Sequence, residues 1–428
     1  MPLTRKTKEG RTHKNILKVF RAICSELIRF EERDDLVFEY CACVALAVHL
    51  TKGQEGVWGY LTGPPSGGKT EVLRLLMDWK EQVICADDLT KNSMMSAYDV
   101  QGVRAAARKD GEKDPYDPSL LPKLNRKTLI IKDLTGMLVR EDNCETLMGV
   151  LRCAYDQSYS KWSGTLGKQV AKPEFSVLAA VTDDGTDRLM SGDQTLGERF
   201  VNLRCQQGVA SDSENLSLGL HVLNMRQGGK AKKRRELANA CIDLLTAGIE
   251  EVKRGPCLAE HPKMARRHDW LIRACSLVTK LRTQAGELTV VSHERNPRLL
   301  QVMAGIMDTH SRLSGYSYWT NRAVRLTKRI LWDSLPVLNF LMLEYLIACE
   351  RLGKAVGGIE AHRISRVCGF RHDQVLRQLE EWHHIGIIKQ IRRGRIRLRQ
   401  AILEQLQQVG LPVEPPQCLE RVRRSNMQ

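Results

Sequence analysis

The feature that most constrains this fold is a glycine-rich octapeptide lying between an apolar stretch and an amphipathic one. It reads Gly63-Pro64-Pro65-Ser66-Gly67-Gly68-Lys69-Thr70. Residues 57–62 before it predict a short buried strand, and residues 71–80 after it predict a helix with one apolar face. Glycines let the backbone curl so that successive N–H groups point inward, as in anion-binding loops at helix N-termini. The sequence therefore predicts a strand, a phosphate-binding loop and a helix.

The octapeptide also fits the pattern G-x-x-x-x-G-K-[S/T], called Walker A. In that pattern the loop residues 63–68 surround the phosphates, Lys69 reaches the β- and γ-phosphates, and Thr70 ligates Mg²⁺. A surface loop of glycine and proline is the alternative interpretation. The flanking strand and helix patterns favour the phosphate site, so we expect ATP and Mg²⁺ as ligands.

Short apolar runs at residues 83–85, 128–131, 175–181 and 200–203 predict further strands. An amphipathic helix is indicated between the second and third of them by Leu147, Val150, Leu151 and Ala154. Strands alternating with helices are typical of an α/β fold with a parallel sheet and helices on both faces.

Asp133 follows the strand at 128–131 and is the candidate for the second metal-side acid of a phosphate-binding loop. The usual Walker B pattern has an aspartate followed by a glutamate that orients the attacking water. This chain instead reads Lys132-Asp133-Leu134. Either Asp133 holds the metal and the base lies elsewhere, or Asp133 occupies the base position and the metal acid is missing. An acid that only caps the strand is a third interpretation.

Thr182 and Arg199 are the next candidate catalytic residues. Thr182 ends the strand at 175–181, and a small polar residue there fits a sensor 1 role near the γ-phosphate. Its alternative is an ordinary strand-end threonine. Arg199 precedes the strand at 200–203, where ring ATPases carry an arginine that points at the neighbouring subunit's γ-phosphate. A local ion pair with Glu198 or another nearby acid is its alternative.

Arg298 is a candidate sensor 2 arginine. Asn296 and Pro297 before it predict an N-cap and the first position of a helix. The apolar stripe of this helix is Leu299, Val302, Met303, Ile306 and Met307. A solvated arginine is the alternative interpretation of Arg298.

The C-terminal part predicts two helices, at 359–370 and 371–384, followed by two strands at 387–391 and 395–398. That order is typical of a winged helix, which binds either DNA or proteins, and the basic wing favours DNA. Candidate base contacts on the second helix are Arg371, His372 and Gln374. Candidate phosphate contacts on the wing are Lys389, Arg392, Arg393, Arg395 and Arg397. We interpret two other basic sites, Lys161-Trp162 and residues 232–235, as solvated loops.

The composition of the chain favours an anionic binding partner and a soluble protein. Lysine and arginine total 66 against 50 acids, which gives a net charge of +16 and favours nucleic acid. The 13 cysteines are scattered without a Cys-x-x-Cys pair, as in reduced proteins. No apolar run approaches the roughly 18 to 20 residues of a membrane span. We therefore expect a soluble, cytoplasmic protein that binds DNA and no membrane.

Together these motifs resemble the AAA+ superfamily, and more narrowly the AAA+ ATPases of phages and plasmids. The segments that carry the likeness are residues 57–71, 131–135, 151–156, 180–182 and 196–200. Residues 296–330 resemble the lid of minichromosome-maintenance helicases more loosely. The resemblance implies a homo-oligomeric ring or filament that uses ATP to act on DNA with replication or mobile-element proteins.

The favoured version of this interpretation is a helicase or helicase loader. The alternatives are a slow-hydrolysing switch that recruits protein partners, as defence or transposition regulators do, and a DNA-binding regulator that ATP only assembles. The expected domains are an N-terminal helical region at 1–50, an AAA+ core at 51–228, a helical lid at 229–351, a winged helix at 352–406 and a polar tail at 407–428. Residues 228–235 are expected to form a flexible basic connector.

Overall fold

The structure is a computed structural model of the 428-residue chain. The described residues are 4–6, 12–28, 35–50, 56–63, 68–87, 89, 91–95, 119–139, 141–163, 167–182, 199–205, 228–258, 260–283, 297–353, 355, 357–391 and 395–411. They divide into two compact units. The first comprises Met1–Leu258 with Gly305–Thr320, and the second comprises Ala259–Ala304 with Asn321–Gln428.

The secondary structure of the described residues is mixed helix and strand. The strands are β1 Thr4–Lys6, β2 Thr12–Lys14, β3 Trp58–Thr62, β4 Val83–Ala86, β5 Thr128–Ile131, β6 Tyr159–Ser163, β7 Gly167–Ala171, β8 Ser176–Val181, β9 Phe200–Arg204, β10 Ile359–Glu360, β11 Ile388–Gln390 and β12 Arg395–Leu398. The helices are α1 Ile16–Leu27, α2 Asp35–Ala47, α3 Lys69–Met77, α4 Lys91–Met94, α5 Leu134–Val139, α6 Glu141–Tyr155, α7 Gly228–Val252, α8 Met264–Arg282, α9 Pro297–Leu313, α10 Asn321–Asp333, α11 Val337–Arg351, α12 Ala361–Cys368, α13 His372–His384 and α14 Gln400–Val409.

A five-stranded parallel sheet forms the centre of the first unit. Its strand order is β4-β5-β8-β3-β9. Strands β3, β5 and β8 are buried along their whole length, which explains why they read as continuous apolar runs rather than alternating ones. One face of the sheet packs with side chains of α4, α5 and α6 in a single apolar cluster. Helices α2 and α3 pack on the sheet as well.

Helix α2 approaches the central strand closely because β3 carries a glycine at its second position. A Cβ atom on Gly59 would lie 2.2 Å from Tyr40 Oη, which no real side chain tolerates. Tyr40 is fully buried, and burial raises the pKa of its hydroxyl, so the hydroxyl stays protonated. It donates a hydrogen bond to the backbone carbonyl of Val201 in β9 at 2.7 Å. The contact therefore fixes α2 against two adjacent strands.

A buried polar cluster joins the N-terminal helices to the Gly305–Thr320 segment of the same unit. Glu39 on α2 and His310 on α9 are each about 1% exposed, and Glu39 Oε2 lies 3.0 Å from His310 Nε2. Arg21 on α1 donates to the other carboxylate oxygen of Glu39 at 3.2 Å. Buried charged groups of this kind stabilise a fold only when they are paired, so the cluster requires α1, α2 and α9 together.

The second unit is helical except for a small sheet near its C-terminal end. Helix α8 contacts α10 and α14, and α11 contacts α12 and β12. The antiparallel sheet has the order β10-β12-β11, with α12 and α13 between its first and second strands along the chain. Buried Asn339 donates to the carbonyls of Leu281 and Thr283, and this satisfies groups at the C-terminal end of α8.

The structure confirms the α/β prediction at the level of a five-stranded parallel sheet flanked by helices. The octapeptide follows β3 and leads into α3, and α9 begins at Pro297 as predicted, with its apolar stripe buried. The predicted connector at 228–235 is wrong, because α7 begins at Gly228 and continues to Val252. Lysine and arginine are good helix formers, so a basic composition did not imply a loop there.

Within the residues the structure describes, no helix taken alone has the length and apolarity needed to cross a membrane. Asn321–Asp333 and Val337–Arg351 meet that test only as a pair, with a bend of 107° between them.

His49 makes the first unit sensitive to acid. Burial, followed by the charges of Arg126 and Lys253, lowers the pKa of its imidazole from 6.5 to about 4, against opposing effects of Gln82 and Glu250. As the pH falls from 6.5 to 4, the unfolded chain binds this proton and the folded chain does not. The free energy of unfolding therefore falls in that window, by on the order of 3 kcal/mol from this group.

Urea unfolding of wild type and His49→Gln at pH 7, 5.5 and 4 measures this effect. We expect the wild type to lose more stability than His49→Gln on acidification. The exposed His383 provides a control, because His383→Gln retains the wild-type acid response. Parallel acid profiles for wild type and His49→Gln would contradict the prediction.

Candidate functional sites

The glycine loop lies at the carboxyl end of the central strand β3. Gly63 follows the strand, and Gly68, with φ of 75°, leads into α3, so the first N–H groups of this helix face the loop. Lys69 is buried, and its Nζ donates to the carbonyl of Gly63 at 2.6 Å. Pro64, Pro65, Ser66 and Gly67 lie outside the described residues. The described ends of the loop therefore have the strand and helix setting that phosphate binding requires.

Gly63 is restricted both by its backbone and by its neighbour. Its φ of 154° lies in the region that L side chains rarely adopt, and an added Cβ would meet the carbonyl oxygen of Cys205 at 2.8 Å. The N–H of Cys205 donates to the carbonyl of Thr62 at 2.7 Å, so the chain after β9 runs directly beside the start of the loop. Only glycine fits at this position without a shift of that segment.

Asp133 and Thr182 lie at the same edge of the sheet as the loop. Thr62 pairs with Val181 across β3 and β8, which brings Gly63 level with Thr182. Ile131 is the last paired residue of β5, and Asp133 follows two positions later with an exposed side chain. Since β8 lies between β3 and β5, the predicted sensor stands between the loop and the predicted metal acid. This is the arrangement that the sequence interpretation requires.

A threonine that sequence reasoning did not select joins these two residues. The N–H of Thr135 donates to Asp133 Oδ1 at 3.0 Å. Thr135 Oγ1 accepts the N–H of Thr182 at 2.9 Å, and the two threonine hydroxyl oxygens are 3.2 Å apart. Its position, at the start of a helix two residues after the strand-end acid, is the signal that could have identified it.

Lys132 is paired with an acid on the next strand of the sheet. Its Nζ lies 2.6 Å from Asp87 Oδ1, directly after β4, and the two side chains are 33% and 72% exposed. Exposed pairs of this kind add little stability. The pair does show that Lys132 faces an acid in its own chain, and that Asp87 lies at the carboxyl edge of the sheet.

Arg199 is placed at the other end of the sheet. It precedes β9, which is parallel to β3, so it lies at the amino edge, opposite the glycine loop. Its side chain is 3% exposed and its Nη2 lies 2.7 Å from Asp156 Oδ2. Its guanidinium also lies over the ring of Tyr155 at 5.5 Å. This geometry corresponds to the local ion pair, the alternative interpretation of Arg199, and the role in a neighbour's site stays a prediction.

Arg298, the candidate sensor 2 residue, is half-buried in the first turn of α9. It belongs to the second compact unit, whereas the glycine loop belongs to the first. Its proposed part in ATP binding therefore stays a prediction.

The candidate base contacts lie at the start of α13. Arg371 is its N-cap residue, with a side chain 76% exposed, and its N–H donates to Gln374 Oε1 at 3.3 Å. Gln374 therefore caps the helix as well as lying on its exposed surface. His372 is exposed beside them. All three predicted residues thus lie together at an exposed helix start.

Two of the predicted wing arginines are bound to glutamates of their own unit. Arg397 makes a bidentate contact with Glu350 on α11 at 2.7 to 2.9 Å, and this glutamate side chain is 8% exposed. Arg395 donates to Glu360 Oε1 at 3.0 and 3.2 Å. The bidentate pair connects β12 to α11, and the Arg395 contact connects β12 to β10. Lys389 is exposed on β11, while Arg392 and Arg393 lie outside the described residues.

Comparison with known proteins identifies no family. The sequence matches no protein-family model, and the curated proteins contain no significant match. The resemblance to AAA+ ATPases therefore stays a prediction from the sequence motifs.

The described residues contain no group of three or more histidine, cysteine, aspartate or glutamate side chains able to hold a metal ion. A magnesium ion bound with a nucleotide does not need such a group, because phosphate oxygens and water complete its octahedral shell beside one or two protein oxygens. Thr70 and Asp133 are oxygen donors of the required type.

Arg199→Ala separates the structural and catalytic interpretations of this arginine. Removing the buried guanidinium deletes its hydrogen-bonded ion pair with Asp156 and its contact with the Tyr155 ring, so we expect the free energy of unfolding to fall by about 2 kcal/mol. Chemical denaturation of wild type, Arg199→Ala and Asp156→Asn measures it. We expect both variants to be less stable than wild type. A variant Arg199→Ala of full stability that loses only ATP hydrolysis would instead support a role in a neighbouring subunit's site.

Proposed function

We propose that this protein is an AAA+ ATPase that binds and hydrolyses ATP and acts on DNA. The observation that carries the proposal is the convergence of the glycine loop, Asp133 and Thr182 on the carboxyl edge of one parallel sheet. Ligands of open α/β sheets bind at that edge, and the sheet order leaves β8 between the loop strand and the acid strand. A surface glycine loop would explain the octapeptide, and an acid that caps a strand would explain Asp133. Neither alternative explains why the loop, Asp133 and Thr182 lie at one edge of the sheet.

The side chains at this edge fit Mg·ATP. Backbone N–H groups at the start of α3 would bind phosphate oxygens, and the Lys69 ammonium, now on the carbonyl of Gly63, would move to the terminal phosphates. Thr70 and Asp133 would hold the metal ion, which neutralises phosphate charge. Thr182 would contact the terminal phosphate or the attacking water.

The C-terminal module supports DNA as the partner. Its order β10, α12, α13, β11, β12 with a three-stranded antiparallel sheet fits a winged helix, with α13 as the recognition helix. The exposed start of α13 carries Arg371 and His372, and Lys389 is exposed on the following strand. Lysine and arginine at such positions bind phosphates, which is the main source of affinity for DNA. The helical segments before the module would then form the lid.

The hairpin of β6 and β7 offers a second surface suited to nucleic acid. Trp162 pairs with Lys168, and Ser160 pairs with Val170, so these four side chains share one face. Trp162 is 74% exposed and Val170 is 54% exposed, whereas Lys161 turns away and donates to the carbonyl of Met95. The segment is a strand rather than the loop expected from sequence. An exposed indole beside a lysine is the chemistry that stacks and holds single-stranded nucleic acid.

A slow nucleotide switch is the second candidate, and one observation favours it. The residue after Asp133 is Leu134, which is buried, so the usual neighbouring glutamate that orients water is replaced by a core side chain. Asp87 lies at the same edge, but Lys132 is bound to it. A protein without a well-placed base would bind ATP and turn it over slowly while recruiting partners.

Hydrolysis by the purified full-length chain, with and without single- and double-stranded DNA, tests the proposed function. We expect turnover that DNA stimulates, and we expect Lys69→Ala to lower it by at least about 100-fold, because the lysine stabilises charge at the reacting phosphate. The exposed Lys80, just beyond the same helix, provides the matched control Lys80→Ala. ATP binding with turnover near background in every DNA would support the switch, and failure to bind Mg·ATP would refute both.

Trp162→Ala tests the hairpin surface separately. Loss of one stacking side chain should weaken binding to a single-stranded oligonucleotide by on the order of tenfold. Fluorescence anisotropy with single-stranded and duplex oligonucleotides measures this, and Leu258→Ala, which removes a different apolar side chain that is 59% exposed, should leave affinity unchanged. Equal affinities for wild type and Trp162→Ala would exclude the hairpin as a stacking surface.

A further inference from the structure

One residue, Thr135, links the predicted metal acid to the predicted sensor, through its backbone N–H on one side and its hydroxyl on the other. Thr135 donates its N–H to Asp133 at the end of β5, and its Oγ1 accepts the N–H of Thr182 at the end of β8. The two hydroxyl oxygens, 3.2 Å apart, are also within hydrogen-bond distance. Thr135 therefore bridges the strand ends on which the two proposed roles depend.

The number of protons and lone pairs on the two hydroxyl groups restricts the hydrogen bonds that Thr182 can make. A threonine hydroxyl has one proton and two lone pairs, and the N–H of Thr182 already occupies one lone pair of Thr135 Oγ1. When Thr135 donates its own proton to Thr182 Oγ1, the proton of Thr182 is directed to a different acceptor. Hydrogen bonds in such a chain polarise and strengthen one another. With the bond in this direction, the hydroxyl of Thr182 is the donor to that acceptor.

We propose that Thr135 is a positioning residue whose hydroxyl orients the hydrogen-bond donor of Thr182, while its backbone N–H holds the Asp133 carboxylate beside it. The inference rests on the proposed ATPase function, because the acceptor of the Thr182 proton is then the terminal phosphate or the attacking water. The terminal phosphate is present in ATP and absent in ADP. Thr135 therefore affects turnover and the preference for ATP over ADP, and not the general affinity for nucleotides.

The side chain of Thr135 can be changed with little effect on packing. It is half-buried in the first turn of α5, whereas Leu134 and Met137 of the same helix supply the buried contacts. Thr135→Val keeps the shape and removes the hydroxyl, and Thr135→Ser keeps the hydroxyl. The pair of variants separates the hydrogen bonds of the hydroxyl from the volume of the side chain, and both keep the backbone N–H that binds Asp133.

A double-mutant cycle on the full-length protein tests the proposal. We expect Thr135→Val and Thr182→Val each to lower kcat by about tenfold, as for one lost hydrogen bond that matters in the transition state. The double variant should be at most about twofold slower than the slower of the two single variants. The reason is that each valine substitution already removes the hydrogen bond between the two hydroxyl groups. Thr135→Ser should stay within about threefold of wild type, and ADP affinity should stay within about twofold in every variant.

The preference for ATP over ADP, measured as the ratio of two dissociation constants, should fall in both valine variants. Two results would overturn the role of Thr135: multiplicative effects on kcat in the double variant, or a Thr135→Ser variant as slow as Thr135→Val. If the wild type still hydrolyses ATP, the ATPase proposal is unaffected by either result. A wild-type chain that does not bind Mg·ATP would overturn both the proposed ATPase function and the proposed role of Thr135.

Discussion

Parallel pairing of β3 with β8 and β9 is the interaction on which the candidate nucleotide site depends. It buries every residue of β3, including Thr62 at its end, whose hydroxyl donates to Asn202 Oδ1 at 2.5 Å. Because parallel strands end at one edge, the same pairing delivers Gly63 and Thr182 to neighbouring positions. The close approach of Tyr40 at Gly59 holds α2 against this pairing from one face.

The polar groups at that edge are held by short local contacts rather than by the sheet itself. Thr135 binds both Asp133 and Thr182, and Lys69 folds onto the carbonyl of Gly63. A site built this way can change its hydrogen bonds without moving the strands beneath it. The rigid sheet fixes positions, and the contacts of a few side chains decide which groups are available to a ligand.

The central strands and the glycine loop, which each depend on one segment, were predictable from sequence, whereas contacts between distant segments were not. The buried strands and the loop carry their signal in a few consecutive residues, so their places agree with the structure. The ion pair of Arg199 with Asp156 joins residues 43 positions apart, and its burial depends on which edge of the sheet β9 begins at. The position of Thr135 after the strand-end acid could be read from the sequence, but its contact with Thr182 on another strand could not.

The positive charge of the chain is a second property whose structural consequences cannot be predicted from the sequence. A surplus of 16 charges predicts an anionic partner but does not say which cations face it. Several arginines are committed to acids within the described residues, among them Arg397 to Glu350 and Arg199 to Asp156. Fork-shaped arginine contacts suit such internal pairs, whereas exposed lysines such as Lys389 and Lys168 remain hydrated and accessible. Lys389 is therefore a better candidate for phosphate contact than Arg395 or Arg397.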